Sequence, residues 1–455
     1  MKILFIVPSS LNPKQMYLEY PMGAGYICTY LKACGFETMI IDQHAEKFTD
    51  EEVIDAIDEY APDIITFSLM TPNYPRALKQ VNLIKEKGIN VPVIAGGMHI
   101  SIFKEQLLSD GFDLLVVGEG EVVVQKICLV YEYENKLLKC NETIISPNSV
   151  FEVTDTFDDN YKDRVITDSL ILDRSVYNLG LYTHHSLLAA RGCMFKCNFC
   201  CNYTKVFNVF NIRSVDSVIE ELVMLEEMGA KQVFFADDIF FHNKEKIKSF
   251  CSKYSEKDLT IKWIAQLRVN TVDEDTLLQM KACGCQKICF GVESGSQKIL
   301  DAANKKITLE EIKLGIGLAK KVGIRVKTFW IVGLPGDMNE QLKSLELMLE
   351  TRPNDISVHQ LIPFPGTIYY DEPEKYGIKI KDKKDFVSFC YGGLKDNFQL
   401  DYMSLDEFES LMNAFLLKLG EAGYVSSDVA TPNDSYIYSL PISKKSITVF
   451  AMEGD

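Results

Sequence analysis

The sequence predicts an α/β protein built from two successive strand–helix units and a smaller, mostly helical tail. Two observations carry this. Short apolar strands alternate with amphipathic helices over residues 1–125, and a second strand–helix repeat recurs about six times over residues 181–370. Uninterrupted apolar strands alternating with amphipathic helices imply a parallel sheet covered on both faces. At 455 residues, and ~150 residues per domain, about three domains are expected. The boundaries are placed at 1–139, 140–180 (an acidic, irregular connector), 181–370 and 371–455.

In the first unit, strands are predicted at Lys2–Val7, Glu37–Ile41, Asp63–Phe67, Val91–Ala95 and Leu114–Val117. Helices are predicted at Met22–Cys34, stopped by Gly35, at Thr49–Tyr60 with Thr49 as N-cap, and at Pro75–Lys87. Ligands of such sheets lie at the carboxyl ends of the strands. There the chain places Ser68 and Thr71 after strand three, Gly96, Gly97 and His99 after strand four, and Gly118 and Glu119 after strand five. Small residues and hydroxyls at these ends let a flat, bulky ligand approach the backbone.

Composition narrows the function. Hydrophobic residues make up 47% and charged residues 25%, ordinary for a soluble globular protein. The net charge of −16 argues against nonspecific nucleic-acid binding and against an anionic membrane surface. The opening apolar run is short and cut by Pro8, unlike a signal peptide. No stretch approaches the ~18 apolar residues of a membrane span. Thirteen cysteines without a leader point to a reducing, cytoplasmic setting with thiols available for metal.

Three of those cysteines stand in one loop, Arg191-Gly192-Cys193-Met194-Phe195-Lys196-Cys197-Asn198-Phe199-Cys200, spaced C-x3-C-x2-C. Thiolates suit iron–sulfur clusters. Three of them hold three irons of a cubane and leave the fourth open to a substrate or cofactor. Zinc is the competing assignment, but it favours paired C-x2-C knuckles with four protein ligands. Cys283, Cys285 and Cys289 read as core packing on a helix end and a strand.

This loop resembles the signature of the radical S-adenosylmethionine (SAM) enzymes. The resemblance implies that Cys193, Cys197 and Cys200 bind a 4Fe-4S cluster whose open iron chelates SAM. Reductive cleavage of SAM then yields a 5′-deoxyadenosyl radical. Five more segments fit in order. Asp237 and Asp238 end strand two of the predicted barrel, and one of them, Asp237 by a weak preference, would contact the SAM ammonium. Arg268, ending strand three, would fork onto the SAM carboxylate, with a surface salt bridge as the bland alternative. Glu293, in Gly291-Val292-Glu293-Ser294-Gly295, would accept the ribose hydroxyls. A carboxylate after an apolar strand needs a partner. Gly333, in Gly333-Leu334-Pro335-Gly336, would lie near the adenine. Pro363-Phe364-Pro365-Gly366-Thr367 closes the barrel.

The first unit resembles the flavodoxin-like (Rossmann-like) cobalamin-binding domain that precedes the radical SAM barrel in one large subfamily. By that resemblance, Ser68 and Thr71 would face the corrin or its nucleotide tail. Gly96 and Gly97 would make room for the dimethylbenzimidazole, with Gly118 and Glu119 beside them. One departure stands out. The D-x-H-x-x-G that supplies a cobalt-binding histidine is absent from the first strand's loop, and Asp42-Gln43-His44 follows strand two with Lys47 in place of the glycine. His44 therefore reads as a loop residue.

The resemblance implies the cofactors 4Fe-4S cluster, SAM and cobalamin, a small-molecule or peptide substrate, and an external electron donor such as flavodoxin or ferredoxin. It implies hydrogen abstraction followed by methyl transfer from methylcobalamin to unactivated carbon or phosphorus. Cyclisation or rearrangement, with or without cobalamin, is the alternative, and an iron–sulfur sensor without catalysis a remote one.

Overall fold

The computed structural model describes residues 1–11, 20–134, 139–140, 143–144, 150–152, 170–182, 184–201, 206, 210–389, 397–426 and 435–439. Residues Lys2–Val7 (β1), Glu37–Asp42 (β2), Ile64–Ser68 (β3), Val93–Gly96 (β4) and Leu114–Val117 (β5) form the first sheet, joined at its edge by Val150–Glu152 (β6). The order is β2-β1-β3-β4-β5-β6, every pair parallel. Strands buried on both faces need continuous apolar runs, and Ile3, Leu4, Phe5 and Ile6 of β1 are all fully buried. Apolar cores lie on both faces of this sheet.

Helix α1 (Met22–Ala33) and helix α2 (Asp50–Tyr60) are two of the sheet's coverings. The predicted Thr49 cap forms a full capping box with Glu52, satisfying two end amides reciprocally. Gly25 on α1 is a close-approach position: a Cβ there would stand 1.7 Å from the Tyr177 hydroxyl. That contact brings residues 170–182 onto the first sheet's helical layer.

The stretch 140–180, expected to be irregular, contributes strand β6 and two 3-10 turns, Arg174–Val176 and Leu179–Leu181. Residues 153–169 lie outside the described residues. Arg174 shares the fully buried Glu221 with Arg213, at 2.6 and 2.5 Å. These two arginines also donate to the carbonyls of Ser186 and Leu188, fastening the first strand of the second sheet.

That second sheet is the partial barrel. Strands β7 (His185–Leu187), β8 (Gln232–Phe235), β9 (Lys262–Leu267), β10 (Cys285–Glu293), β11 (Arg325–Val332) and β12 (Asp355–Gln360) are parallel and adjacent in that order. Strand β13 (Ser435–Ser439) pairs antiparallel with β12. On β11, Val326, Thr328, Trp330 and Val332 are buried, whereas Lys327, Phe329 and Ile331 are half-buried on the other face. The period of two puts the first set under the helices and the second inside the barrel.

The tail braces both units. Ser404 caps helix α3 (Leu405–Glu421), and Phe408, Leu411, Phe415 and Leu419 pack into the barrel's outer core. Phe389 and Phe398 of the tail, with Ile362 and Tyr370 just before it, join the core of the first sheet. The end of the chain, including Ser443–Ser446, lies outside the described residues.

Candidate active site

Two cavities meet where the strands of the two sheets end. The first, about 300 Å³, opens at the carboxyl ends of the first sheet. Ser68, Gly96, Gly97, Gly118 and Glu119 stand in its wall. Gly97 is required there: its φ is +101°, and a Cβ would press within 2.8 Å of the Leu69 backbone. The second cavity, about 470 Å³, is lined by Cys193, Cys197, Cys200 and Cys201 together with Arg268, Gly291 and Glu293. Asp238 stands in the wall of both.

The cysteine loop is fastened at both ends. Gly192, at φ +91°, accepts from His242 Nε2 at 3.0 Å. Asn198 N donates to Ala303 O at 2.9 Å, and its Nδ2 to Ala302 O at 2.9 Å. Asn304 Nδ2 reaches Lys196 O at 2.7 Å. Burial pushes the Cys193 and Cys200 thiols up, so a bound metal must displace their protons. The three sulfurs share one wall, although among the described residues no such group stands at metal-ligating spacing.

The paired acids part company. Asp237 is 1% exposed and absent from either wall. Its Oδ1 accepts the amides of Ala189 (2.7 Å) and Ala190, tying strand exit β8 to the segment leading into the cysteine loop. Burial outweighs these bonds and pushes the Asp237 carboxyl up to about 8. Of the two acids, it is Asp238 that stands in the cavity walls, whereas the weakly preferred Asp237 does not.

Arg268 is 4% exposed, which rules out the surface salt bridge. Its guanidinium lies 3.7 Å from the Phe195 ring centroid. Nη2 donates to the carbonyls of Lys305 and Lys306 (3.2 Å for the latter), while Nη1 stands 3.9 Å from Cys197 Sγ. One nitrogen of the expected fork is therefore held by backbone carbonyls, and another abuts a cysteine of the loop.

Glu293 is the most constrained residue of the site. Its φ is +73°, in the left-handed region, and the β10–β11 register shifts between Gly291 and Glu293. Such strain persists where surrounding structure over-determines it. The partner that its burial requires is Lys305, whose Nζ lies 2.8 Å from Glu293 Oε1. Sequence reasoning missed Lys305; the unmet partner requirement of Glu293 was the available signal.

Two further positions differ from expectation. Gly333 does not line the cavity; it turns at φ +92° beneath Leu400 and Met403, and its carbonyl accepts from Tyr402 at 2.8 Å. Thr71 lies outside the first cavity's wall, its Oγ1 3.2 Å from Nδ1 of the fully buried His99. Burial holds that imidazole down to about 3. Asp42 caps a short helix by accepting the amides of His44 and Ala45, both at 3.2 Å. The D-x-H look-alike is a helix cap.

The walls also show contacts that the sequence did not announce. Arg191 Nη1 bridges Glu119 and Glu121 at 2.8 Å each and lies 4.9 Å from the Tyr26 ring centroid. Tyr26 and Thr66 both line the first cavity, and among the described residues their buried hydroxyls have no partner. Buried polar groups are ordinarily satisfied, so these two fit a cavity built to receive a ligand with polar atoms. The thiol donor set of the second cavity fits an iron–sulfur cluster.

Comparison with known proteins identifies the ligands. A B12 binding domain model matches residues 15–127 and a radical SAM superfamily model residues 187–348, together more than half of the chain. The chain belongs to the cobalamin-dependent radical SAM enzymes. Its cofactors are cobalamin, a 4Fe-4S cluster and SAM. The chain is 27% identical over 376 residues to an uncharacterized methyltransferase of Pyrococcus horikoshii, covering 81% of this chain and 82% of that one. It is 26% identical over 407 residues to the anaerobic magnesium-protoporphyrin IX monomethyl ester cyclase of Rubrivivax gelatinosus, covering 85% and 73%. The methyltransferase TsrM of Kitasatospora setae, solved with cobalamin and a 4Fe-4S cluster, shares the fold of this radical SAM enzyme. Its TM-score is 0.70 at 14% identity, with 95% of this chain and 92% of that one covered. Among the described residues no helix is long and apolar enough to cross a membrane.

Proposed function

We propose that this radical SAM enzyme methylates an unactivated carbon, or phosphorus, of a small-molecule or peptide substrate. The observation carrying the reading is Asp238, common to both cavity walls: ligands of the two cavities would meet across one side chain. When bound, the cluster with SAM supplies a hydrogen-abstracting radical, and cobalamin supplies the methyl group.

The chain's own residues have these roles. Cys193, Cys197 and Cys200 hold the cluster. Glu293, fixed by Lys305, accepts the ribose hydroxyls. Asp238 receives the SAM ammonium in place of Asp237, and Arg268 sets the charge beside Cys197. Ser68, Gly96, Gly97, Gly118 and the Arg191-paired Glu119 shape the cobalamin cavity, with Tyr26 and Thr66 donating to its ligand. Thr71 and Gly333 act through packing. The apolar walls keep water from the reacting atoms. An external reduced flavodoxin or ferredoxin supplies electrons.

The similarity to cyclases as well as methyltransferases favours cyclisation as the second reading. The test is anaerobic reconstitution with iron, sulfide and hydroxocobalamin, then reaction with methyl-labelled SAM and candidate substrates. About one cobalamin per chain and label in the product support methylation. Unlabelled product formed with 5′-deoxyadenosine moves cyclisation to the front. In Cys197→Ala, SAM cleavage should vanish with the roughly 400-nm cluster absorbance; persistent cleavage removes the cluster assignment.

A further inference from the structure

Resting on the proposed radical reaction, which needs the substrate to meet SAM in the second cavity, we infer that the substrate is an anion whose charged group is received by Lys327 on the barrel's inner face. Lys327 shares that face of β11 with Phe329 and Ile331, both of which line the cavity. Its Nζ stands 4.9 Å from the Phe329 ring centroid. The ammonium therefore lies beside the cavity's own lining.

The neighbours explain why this charge calls for a ligand. In register, Lys327 is flanked by Cys289 on β10 and Asp355 on β12. Cys289 lines the cavity, and burial pushes its thiol up to about 11, so it offers no charge at neutral pH. Asp355 is engaged elsewhere: it accepts from Arg325 Nε at 2.8 Å and from Arg325 Nη2 at 2.5 Å, and Lys287 Nζ stands 3.3 Å away.

The other cations nearby have partners as well. Lys305 is paired with Glu293, and Arg268 is held by the Lys305 and Lys306 carbonyls. Among the described residues, Lys327 alone of these has neither an ion pair nor a hydrogen bond. Asp355, opposite in register, attracts this ammonium through space, but among the described residues no carboxylate forms an ion pair with it, and burial pulls the ammonium's pKa down. A half-buried ammonium without a partner is unfavourable, and a bound anion relieves that penalty.

His359 and Gln266, also in the wall, offer polar contacts beside it. Ser357 Oγ lies 2.9 Å from His359 Nε2. Burial and then the Lys327 charge hold His359 down to about 4, so the imidazole is neutral at physiological pH and Lys327 is the cation of this subsite. One ammonium with neutral hydrogen-bonding neighbours suits a carboxylate or a phosphonate.

The experiment uses the reconstituted full chain and three probes with the same alkyl tail: hexanoate, hexylphosphonate and the neutral hexanamide, titrated by calorimetry. Wild type should bind at least one anion about tenfold or more tightly than the amide, as expected for a charge-assisted hydrogen bond. Which anion wins separates carboxylate from phosphonate. Lys327→Met should erase the preference and Lys327→Arg should keep it; Lys327→Gln replaces the Met variant if that one fails to fold. Equal or undetectable binding of anions and amide by wild type overturns the inference without any variant, as does a preference that survives Lys327→Met. SAM cleavage by wild type is measured alongside. Cleavage without anion preference refutes the anion subsite alone, whereas anion preference without cleavage refutes the enzymatic reading and leaves the subsite standing.

Discussion

Replacing Lys305 by Met strands a carboxylate that the fold has buried and strained. The Lys305–Glu293 pair spans 2.8 Å with side chains only 7% and 10% exposed, and Glu293 holds a φ of +73° at a cost of ~1–3 kcal/mol. Removing one member of a buried pair costs ~3–5 kcal/mol because the other charge stays behind. An ordinary hydrogen bond contributes only ~0.5–1.5 kcal/mol. The charge left at Glu293 therefore dominates, and Lys305→Met should destabilise the barrel by about 3–5 kcal/mol. Adding Glu293→Gln should restore most of the loss, since a neutral amide is far cheaper to bury. The readout is built in. The chain has two tryptophans, Trp263 and Trp330, both fully buried in the barrel. Their emission during urea unfolding follows the barrel rather than the first sheet. A Lys305→Met barrel within about 0.5 kcal/mol of wild type, the scatter of a neutral surface change, would refute the argument. So would a double variant no more stable than the single one.

Asp237→Asn should flatten the pH dependence of barrel stability. The Asp237 carboxyl is pushed from 3.8 to about 8 by burial, so the folded state binds its proton more tightly than the unfolded state does. Its contribution is fully present below about pH 4 and lost as pH rises toward 8; an unchanged profile of tryptophan-detected midpoints in the Asn variant would contradict this. Tyr26→Phe and Thr66→Val should each weaken cobalamin retention by up to about tenfold, one hydrogen bond apiece, while leaving the ligand-free protein as stable or more so. Equal retention would show that the hydroxyls serve the fold rather than the ligand. His44→Ala should retain cobalamin as wild type does, because the hydrogen bond that His44 gives Asp42 comes from its backbone amide, which alanine keeps; loss of retention would reinstate His44 as a ligand.

Strand β1 and strand β5 coincide with the predicted Lys2–Val7 and Leu114–Val117 at both ends, because a strand covered on both faces must be apolar throughout and polar residues mark where it stops. The same logic located the cysteine loop and the strand ends, where small and acidic residues interrupt apolar runs. What stayed hidden was direction. Asp237 and Asp238 are adjacent and chemically identical, and only the Ala189 and Ala190 amides, supplied by a distant strand, decide which of them turns inward. Gly333 looked like a cavity glycine until Tyr402 and Leu400, about 70 residues along the sequence, covered it. Tyr26 and Thr66 carry no local mark, since a hydroxyl on a helix or strand reads the same whether it meets a neighbour or a ligand. Lys305 and Lys327 illustrate the difference between the two kinds of hidden residue. Lys305 could be inferred only as an unnamed partner demanded by Glu293. Lys327 sits in Arg325-Val326-Lys327-Thr328-Phe329, where a basic residue recurs at a period of two. That alternation places a cation on one face of a buried strand, but whether an acid waits opposite depends on the register of β10 and β12, which lies outside any single strand's sequence. Arg325 and Lys287 claim Asp355, and the charge left over on Lys327 belongs to the assembled barrel rather than to any one segment of the chain.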